Sequence, residues 1–316
     1  MFNLIKRNLL TSLLILSIFI SNMLVAAEKY NIAVVKNTDD VSQFNEVASS
    51  FMFSLEQKKI FSIKQYDLKN SKAEDIVNEI NKNDVKLIYA IGDRSAAMMA
   101  QGVSNVPVIF SMILNYKNPR LKLSESQNVA GISLEVPAEI TFMQLQMLVP
   151  EIKKIGIFYS DRSKEIVDNI VSRQADFGLE IVPFEFSKGS IEKAYNKLKK
   201  DVEAIYMVAD PAIYTTENTI KLINECKKNK MPFIAYSDAF VKAGALMSVS
   251  PSYSTIGSQA ASLAENILID KTLPSNVGVV SPIGTFFVIN AITSQEIGIT
   301  TNENILNFAD KVYRAE

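Results

Sequence analysis

The sequence of 316 residues predicts an α/β protein of two doubly wound, parallel-sheet lobes joined by a hinge of three chain crossings. Three observations lead there. Short runs almost continuous in Val, Ile, Phe and Tyr alternate with longer segments of helical spacing, as expected of parallel strands covered on both faces. The alternation occurs twice, with a polar connection between the two sets. Once a leader is removed, about 290 residues remain, long for a single core and comfortable for two domains.

In chain order, the first set has strands at Tyr30–Val35, Phe61–Tyr66, Leu87–Ile91 and Val108–Met112, with helices at Phe44–Gln57, at Ala73–Asn81 and from Ser95. Tyr116–Asn128 is polar, contains Pro119 and reads as a connection. Pro150 stops a helix shortly before Ile155. The second set has strands at Ile155–Tyr159, Glu180–Phe186, Ala204–Val208 and Phe233–Tyr236. Beyond Tyr236 an apolar strand runs through Pro251 into a helix with small residues at Gly257, Ala260, Ala261 and Ala264. A helix face that small packs closely on something already built. Another strand follows at Thr285–Asn290. Val129–Leu134, Met247–Pro251 and Ser281–Asn290 read as the three crossings. One lobe would hold residues 28–133 and 251–283, the other 134–250 and 284–316.

Residues 1–27 read as a secretory signal. Lys6 and Arg7 precede an apolar stretch from Leu9 to Val25, and Val25-Ala26-Ala27 offers small side chains for cleavage before Glu28. The alternative is a retained membrane anchor, although Asn22 and the neighbouring serines interrupt the stretch. No cysteine stands at the cleavage site, so a lipid anchor is excluded, and a periplasmic location between two membranes is expected.

The 33 basic residues less Lys6 and Arg7 leave 31 against 34 acidic ones, a net charge of −3 with both signs interspersed. Such a surface has no electrostatic footprint for nucleic acid or anionic lipid. A single cysteine, Cys226, excludes an internal disulfide and reads as a half-buried structural thiol. The chain has no histidine, which removes every Ser-His and Cys-His nucleophile pair and every imidazole zinc site. The phosphate-loop and dinucleotide glycine patterns are missing too, so neither an enzyme nor a cofactor is expected.

In open doubly wound sheets ligands bind beyond the carboxyl ends of the strands. Those ends are Gly92-Asp93-Arg94-Ser95, Leu114-Asn115, Tyr159-Ser160-Asp161, Ala209-Asp210 and Tyr236-Ser237-Asp238. Asp-Arg-Ser occurs at two of them. Each of Asp93, Asp161, Asp210 and Asp238 could instead be a helix N-cap worth about 1 kcal/mol, and Tyr159 and Tyr236 could be core aromatics. The carboxylates lack the close spacing of a calcium loop, so no metal is expected.

The segments "AIGDRSA", "VPVIF", "NVAGISLEVPAE", "LVPEIKKIGIFYSD", "AIYMVADPAI", "FVKAGALMSVSPSYSTIGSQAA" and "VINAITSQEIGI" together resemble a family of periplasmic substrate-binding proteins for ABC importers. The resemblance covers nearly the whole mature chain. It implies a type I two-lobed fold and, from members with known ligands, an aromatic amino acid such as tryptophan or phenylalanine. It also implies ligand contacts at Gly92, Asp93, Arg94, Ser95, Ala96, Asn115, Gly131, Ser133, Tyr159, Asp210 and Asp238. Where the family usually has Gly-Thr-Pro-Ala, this chain has Gly92-Asp93-Arg94-Ser95. Asp93 would repel a ligand carboxylate by about 1 to 4 kcal/mol at contact, while Arg94 would attract it. Leu114-Asn115-Tyr116 replaces a common Thr-Asp-Pro, leaving Asp210 as the partner for a positive ligand group. The expected function is capture of a small, amino-acid-like molecule by a monomer that delivers it to a membrane permease of an ABC importer. The alternative is a ligand-sensing module feeding a sensor kinase or chemoreceptor.

Overall fold

A computed structural model of the chain describes residues 29–123, 125–186 and 188–315. The expected signal segment lies outside the described residues. The first part of the chain forms β1 (Tyr30–Lys36), α1 (Ser42–Glu56), β2 (Phe61–Asp67), α2 (Ala73–Lys82), β3 (Val85–Ile91), α3 (Asp93–Gly102), β4 (Val108–Ser111) and β5 (Val129–Ile132). After α4 (Ala138–Leu148) come β6 (Lys154–Tyr159), α5 (Lys164–Ser172), β7 (Glu180–Glu185), α6 (Ile191–Leu198), β8 (Ala204–Tyr206), α7 (Thr216–Lys228), β9 (Phe233–Ala235), α8 (Asp238–Lys242) and β10 (Met247–Pro251). The chain closes with α9 (Tyr253–Leu268), β11 (Val279–Val280), β12 (Thr285–Asn290) and β13 (Lys311–Tyr313).

Two sheets result, with strand orders β11-β5-β4-β3-β1-β2 and β13-β12-β10-β9-β8-β6-β7. In each, the first strand in chain order lies inside, between the second and the third. The winding therefore reverses at β1/β3 and again at β6/β8, the topological switch points of doubly wound sheets. Burial on both faces explains the continuous apolar runs. Along β1, Ile32 and Val34 enter one core, while Ala33 and Val35 enter another on the opposite face. In the second sheet Ile155 and Ile157 of β6 pack with α4 and α5, and Phe158 packs with α6 and α7. Each fully buried side chain of this size stabilises the fold by about 2 kcal/mol.

The small-residue face of α9 packs on α1. A Cβ at Gly257 would sit 2.3 Å from the Val47 carbonyl oxygen, so only hydrogen fits there. Ala260, Ala261 and Ala264 share the core with Val47, Ala48 and Phe51.

Three expectations need correction. The second sheet is not wholly parallel, because β10 runs antiparallel to β12, pairing Met247 with Ile289 and Pro251 with Thr285. The segments read as crossings are largely strands themselves, and the links between sheets shrink to residues 133–137, Ser252 and residues 281–284. The strand expected through Met112 stops at Ser111, because Met112 turns left-handed with φ 63° and redirects the chain.

The second and third links are stitched together. Ser252 N–H donates to the Gly284 carbonyl at 3.0 Å. Gln259 on α9 donates from Nε2 to the Ser281 carbonyl at 2.9 Å, and its Oε1 accepts from Ile283 N–H at 3.2 Å. Among the described residues no helix is long and apolar enough to cross a membrane.

Candidate functional site

The strand-end loops are occupied by the protein's own side chains. After β3, Gly92 has φ +102°, a conformation open to glycine, and a Cβ there would strike the Asn37 side chain at 2.6 Å. Asn37, at the end of β1, accepts from Ser95 N–H at 2.7 Å and donates to Asp93 Oδ1 at 2.8 Å. A residue 58 positions away thus caps α3 and holds the acid of the first Asp-Arg-Ser. Ser95 and Ala96 are buried, and Arg94 is exposed outside the cavity described below.

The counterpart between β6 and β8 is built on Asp210, 1% exposed. Its Oδ2 accepts from Ser160 Oγ at 2.6 Å, Ser163 Oγ at 2.6 Å and Ser160 N–H at 3.2 Å, and its Oδ1 accepts from Ala212 N–H at 2.9 Å. The carboxylate expected to meet a positive ligand group is spent on the loop. Asp238 is also engaged, accepting from Lys311 Nζ at 2.9 Å and from the Tyr313 hydroxyl at 2.8 Å, which ties β13 to α8. Tyr159 is half-buried under Lys164, whose ammonium lies 5.9 Å from the ring centre. Gly131 is buried inside β5. Of the eleven expected contacts, Asn115 and Ser133 reach the cavity wall; the other nine do not.

That cavity, about 640 Å³, lies between the two sheets. Leu114–Lys117 and Val279–Ser281 line it from the first sheet's side, and α5, Tyr206–Ala209 and Tyr236 from the second's. The first and third links line it too, through Ser133–Pro137 and Ser281, as do Pro251 and Tyr253 on either side of the second. The left-handed turn at Met112 feeds Leu114–Lys117 into this wall.

The walls combine aromatic rings and charges. Tyr206 stacks edge-on against Phe142 at 5.0 Å, and burial pushes its hydroxyl up to about 12. Burial also raises the Tyr236 and Tyr253 hydroxyls. All three stay neutral near pH 7 and offer O–H groups. Lys117 Nζ meets Glu165 Oε1 at 2.6 Å, an ion pair spanning the cavity from the segment after β4 to α5. That hydrogen bond raises the Lys117 pKa. Arg173 NH2 meets Glu139 Oε1 at 3.1 Å. Burial raises the Glu135 carboxyl, opposed by the nearby Lys117 charge and reinforced by Glu165. Among the described residues no group of three or more acidic or thiol side chains could hold a metal ion.

Sequence reasoning did not foresee Tyr116, Lys117, Glu135, Arg162, Glu165, Tyr206 or Tyr253. Glu135 lies two residues past the expected Ser133, and Arg162 sits inside the second Asp-Arg-Ser. The available signal was nearness to a crossing or a strand end, which does not say which way a side chain faces.

Two doubly wound, largely parallel sheets joined by three crossings, with a cavity against those crossings, define a ligand-binding fold of the type I periplasmic binding protein kind. The chain belongs to the ABC transporter substrate binding protein family, whose profile matches residues 31–313. It is thus a member of a family of substrate-binding proteins rather than of an enzyme family. The chain is 28% identical over 195 residues to a tyrosine-binding protein of Clostridioides difficile (strain R20291), a match covering 59% of this chain and 56% of that protein. Its fold is similar to the ligand-free, open structure of a substrate-binding protein with adhesive properties from Clostridium difficile. There the TM-score is 0.75 and identity 18%, over 90% of this chain and 100% of that one. It is also similar to a Streptococcus pneumonia domain in complex with L-Trp, with TM-score 0.56 and identity 22%, over 89% of this chain and 99% of that one.

Proposed function

We propose that this protein captures an amino acid in the cavity between its lobes and delivers it to the permease of an ABC importer from the periplasmic side of the membrane. The single observation that carries the reading is the cavity itself, lined by both sheets' elements and by residues in or flanking all three links between them. The lobes are residues 28–133 with 251–283, and residues 134–250 with 284–316. A ligand touching both stabilises the closed arrangement by its differential affinity for it, and no covalent step is needed. The tyrosine-binding relative and the tryptophan-bound structural neighbour support an amino acid as the ligand class. Four tyrosines on the walls, Tyr116, Tyr206, Tyr236 and Tyr253, suit a side chain with an aromatic or apolar body.

The test is thermal unfolding of the mature protein against the twenty standard L-amino acids. A ligand at a hundred times its Kd stabilises by about 2.7 kcal/mol, a clear rise in melting temperature. No shift with any of the twenty would sink the reading.

A further inference from the structure

Six charged side chains line the cavity: Lys117, Glu135, Glu139, Arg162, Glu165 and Arg173. Four neutralise one another, Lys117 with Glu165 and Arg173 with Glu139. The side chains of Glu135 and Arg162 make no hydrogen bond or ion pair with any of the described residues. One acid and one base are left over, Glu135 in the first crossing and Arg162 in the loop after β6.

Their backbones are held although their side chains are not. Glu135 N–H donates to Ser133 Oγ at 3.0 Å within the first crossing. Arg162 N–H donates to Ser160 Oγ at 3.3 Å, and that serine is anchored on Asp210. Arg162 is exposed, and Glu135, exposed as a residue, has a carboxyl partly covered by its neighbours. Closing the cavity would strip water from both, and an ion desolvated without a partner costs several kcal/mol. A ligand that brings a cation to Glu135 and an anion to Arg162 removes that cost on closure. The N-terminus of α3 is closed to that anion, because Asn37 already takes the Ser95 N–H. A guanidinium suits a carboxylate through two parallel hydrogen bonds.

We propose that Glu135 and Arg162 are the charge-recognition pair of this cavity, Glu135 receiving the ammonium and Arg162 the carboxylate of an amino-acid zwitterion. The proposal rests on the solute-capture reading and deepens it, since it makes both ligand charges obligatory. The groups facing Glu135 are Lys117 after β4, Glu165 on α5 and Tyr206 on β8, with Glu139 close by on α4. Burial raises the Glu135 carboxyl above its ordinary value, so protonation starts at a higher pH than for a free carboxyl. Affinity for the zwitterion falls as pH drops through that raised value, because the ammonium binds the ionised form.

Isothermal titration at pH 7.5 with the twenty standard L-amino acids identifies the tightest, which is then compared with its decarboxylated amine and its deaminated acid. The amine and the acid are expected to bind the wild type at least 100-fold more weakly than the amino acid. Glu135→Gln loses at least tenfold for the amino acid, binds the deaminated acid more tightly than the wild type does because no unpaired carboxylate is desolvated, and flattens the acid limb of the pH profile. Arg162→Gln loses at least tenfold for the amino acid and binds the amine more tightly than the wild type does, because no unpaired guanidinium is desolvated, and Arg162→Lys recovers part of the loss. If the wild type binds an amino acid and both Gln variants match it within twofold, the charge pair is refuted while solute capture stands. If the wild type binds none of the twenty, both fall together.

Discussion

The two switch-point loops solve one problem with opposite chemistry. In the first sheet a neutral side chain, Asn37, reaches from β1 across to the loop after β3 and caps α3. In the second sheet a buried carboxylate, Asp210, reaches from the loop after β8 back to the loop after β6 and gathers two hydroxyls and two backbone N–H groups. Charge-assisted hydrogen bonds are roughly twice as strong as neutral ones, so the second loop is the stiffer. The comparison teaches that occupying the carboxyl end of a sheet does not make a side chain a ligand contact. Here both switch-point loops are closed internally, and the cavity draws on the crossings, on the face of α5 and on the strand ends after β4, β8 and β9.

The largest expected effect comes from Asp210. Asp210→Ala removes four hydrogen bonds accepted by one buried carboxylate, which destabilises the ligand-free protein by about 3 kcal/mol. Urea unfolding measures this, and a loss below about 1 kcal/mol would put Asp210 back among ligand contacts. Asn37→Ala comes next, with a loss of about 1 kcal/mol, the usual worth of a helix cap. Amide exchange at Ser95 should rise in that variant and stay unchanged in the Asp210 variant; the same exchange in both would erase the difference between the loops. The smallest effect belongs to Glu165→Gln. Its pair with Lys117 is largely exposed, at 56% and 78%, so ligand-free stability changes by less than about 0.5 kcal/mol. The same substitution removes a neighbouring negative charge and lowers the Glu135 pKa toward its ordinary value. The acid limb of amino-acid binding should then move to lower pH, and an unmoved limb would mean that Glu135 does not govern it.

The order of strands and helices was legible in the sequence because burial on both faces writes continuous apolar runs, as in Ile32–Val35 and Leu87–Ile91. The close approach of α9 was legible too, since Gly257, Ala260, Ala261 and Ala264 fall on one helical face. β11 and β13 were not, being too short, at two and three residues, to carry a period. The antiparallel return of β12 depends on how the third crossing re-enters the sheet, which no local pattern encodes. The candidate site was legible as a set of loop positions but not as a set of partners. Ser160 and Ser163 precede Asp210 by 50 and 47 residues, and Asn37 precedes Ser95 by 58. The repeated Asp-Arg-Ser makes the limit concrete. In one copy the acid is held by Asn37, whereas in the other the base lines the cavity. Three identical letters take different tasks because different neighbours arrive.

Gln259 and the Ser252–Gly284 hydrogen bond join the second and third crossings into one ribbon. On the proposed reading, the lobes then have two articulation points rather than three, and two points fix a line. Lobe motion reduces to a swing about a single axis with little freedom to twist. A door hung on two hinges opens along one path, and a solute entering the gap meets the same pair of walls on every encounter.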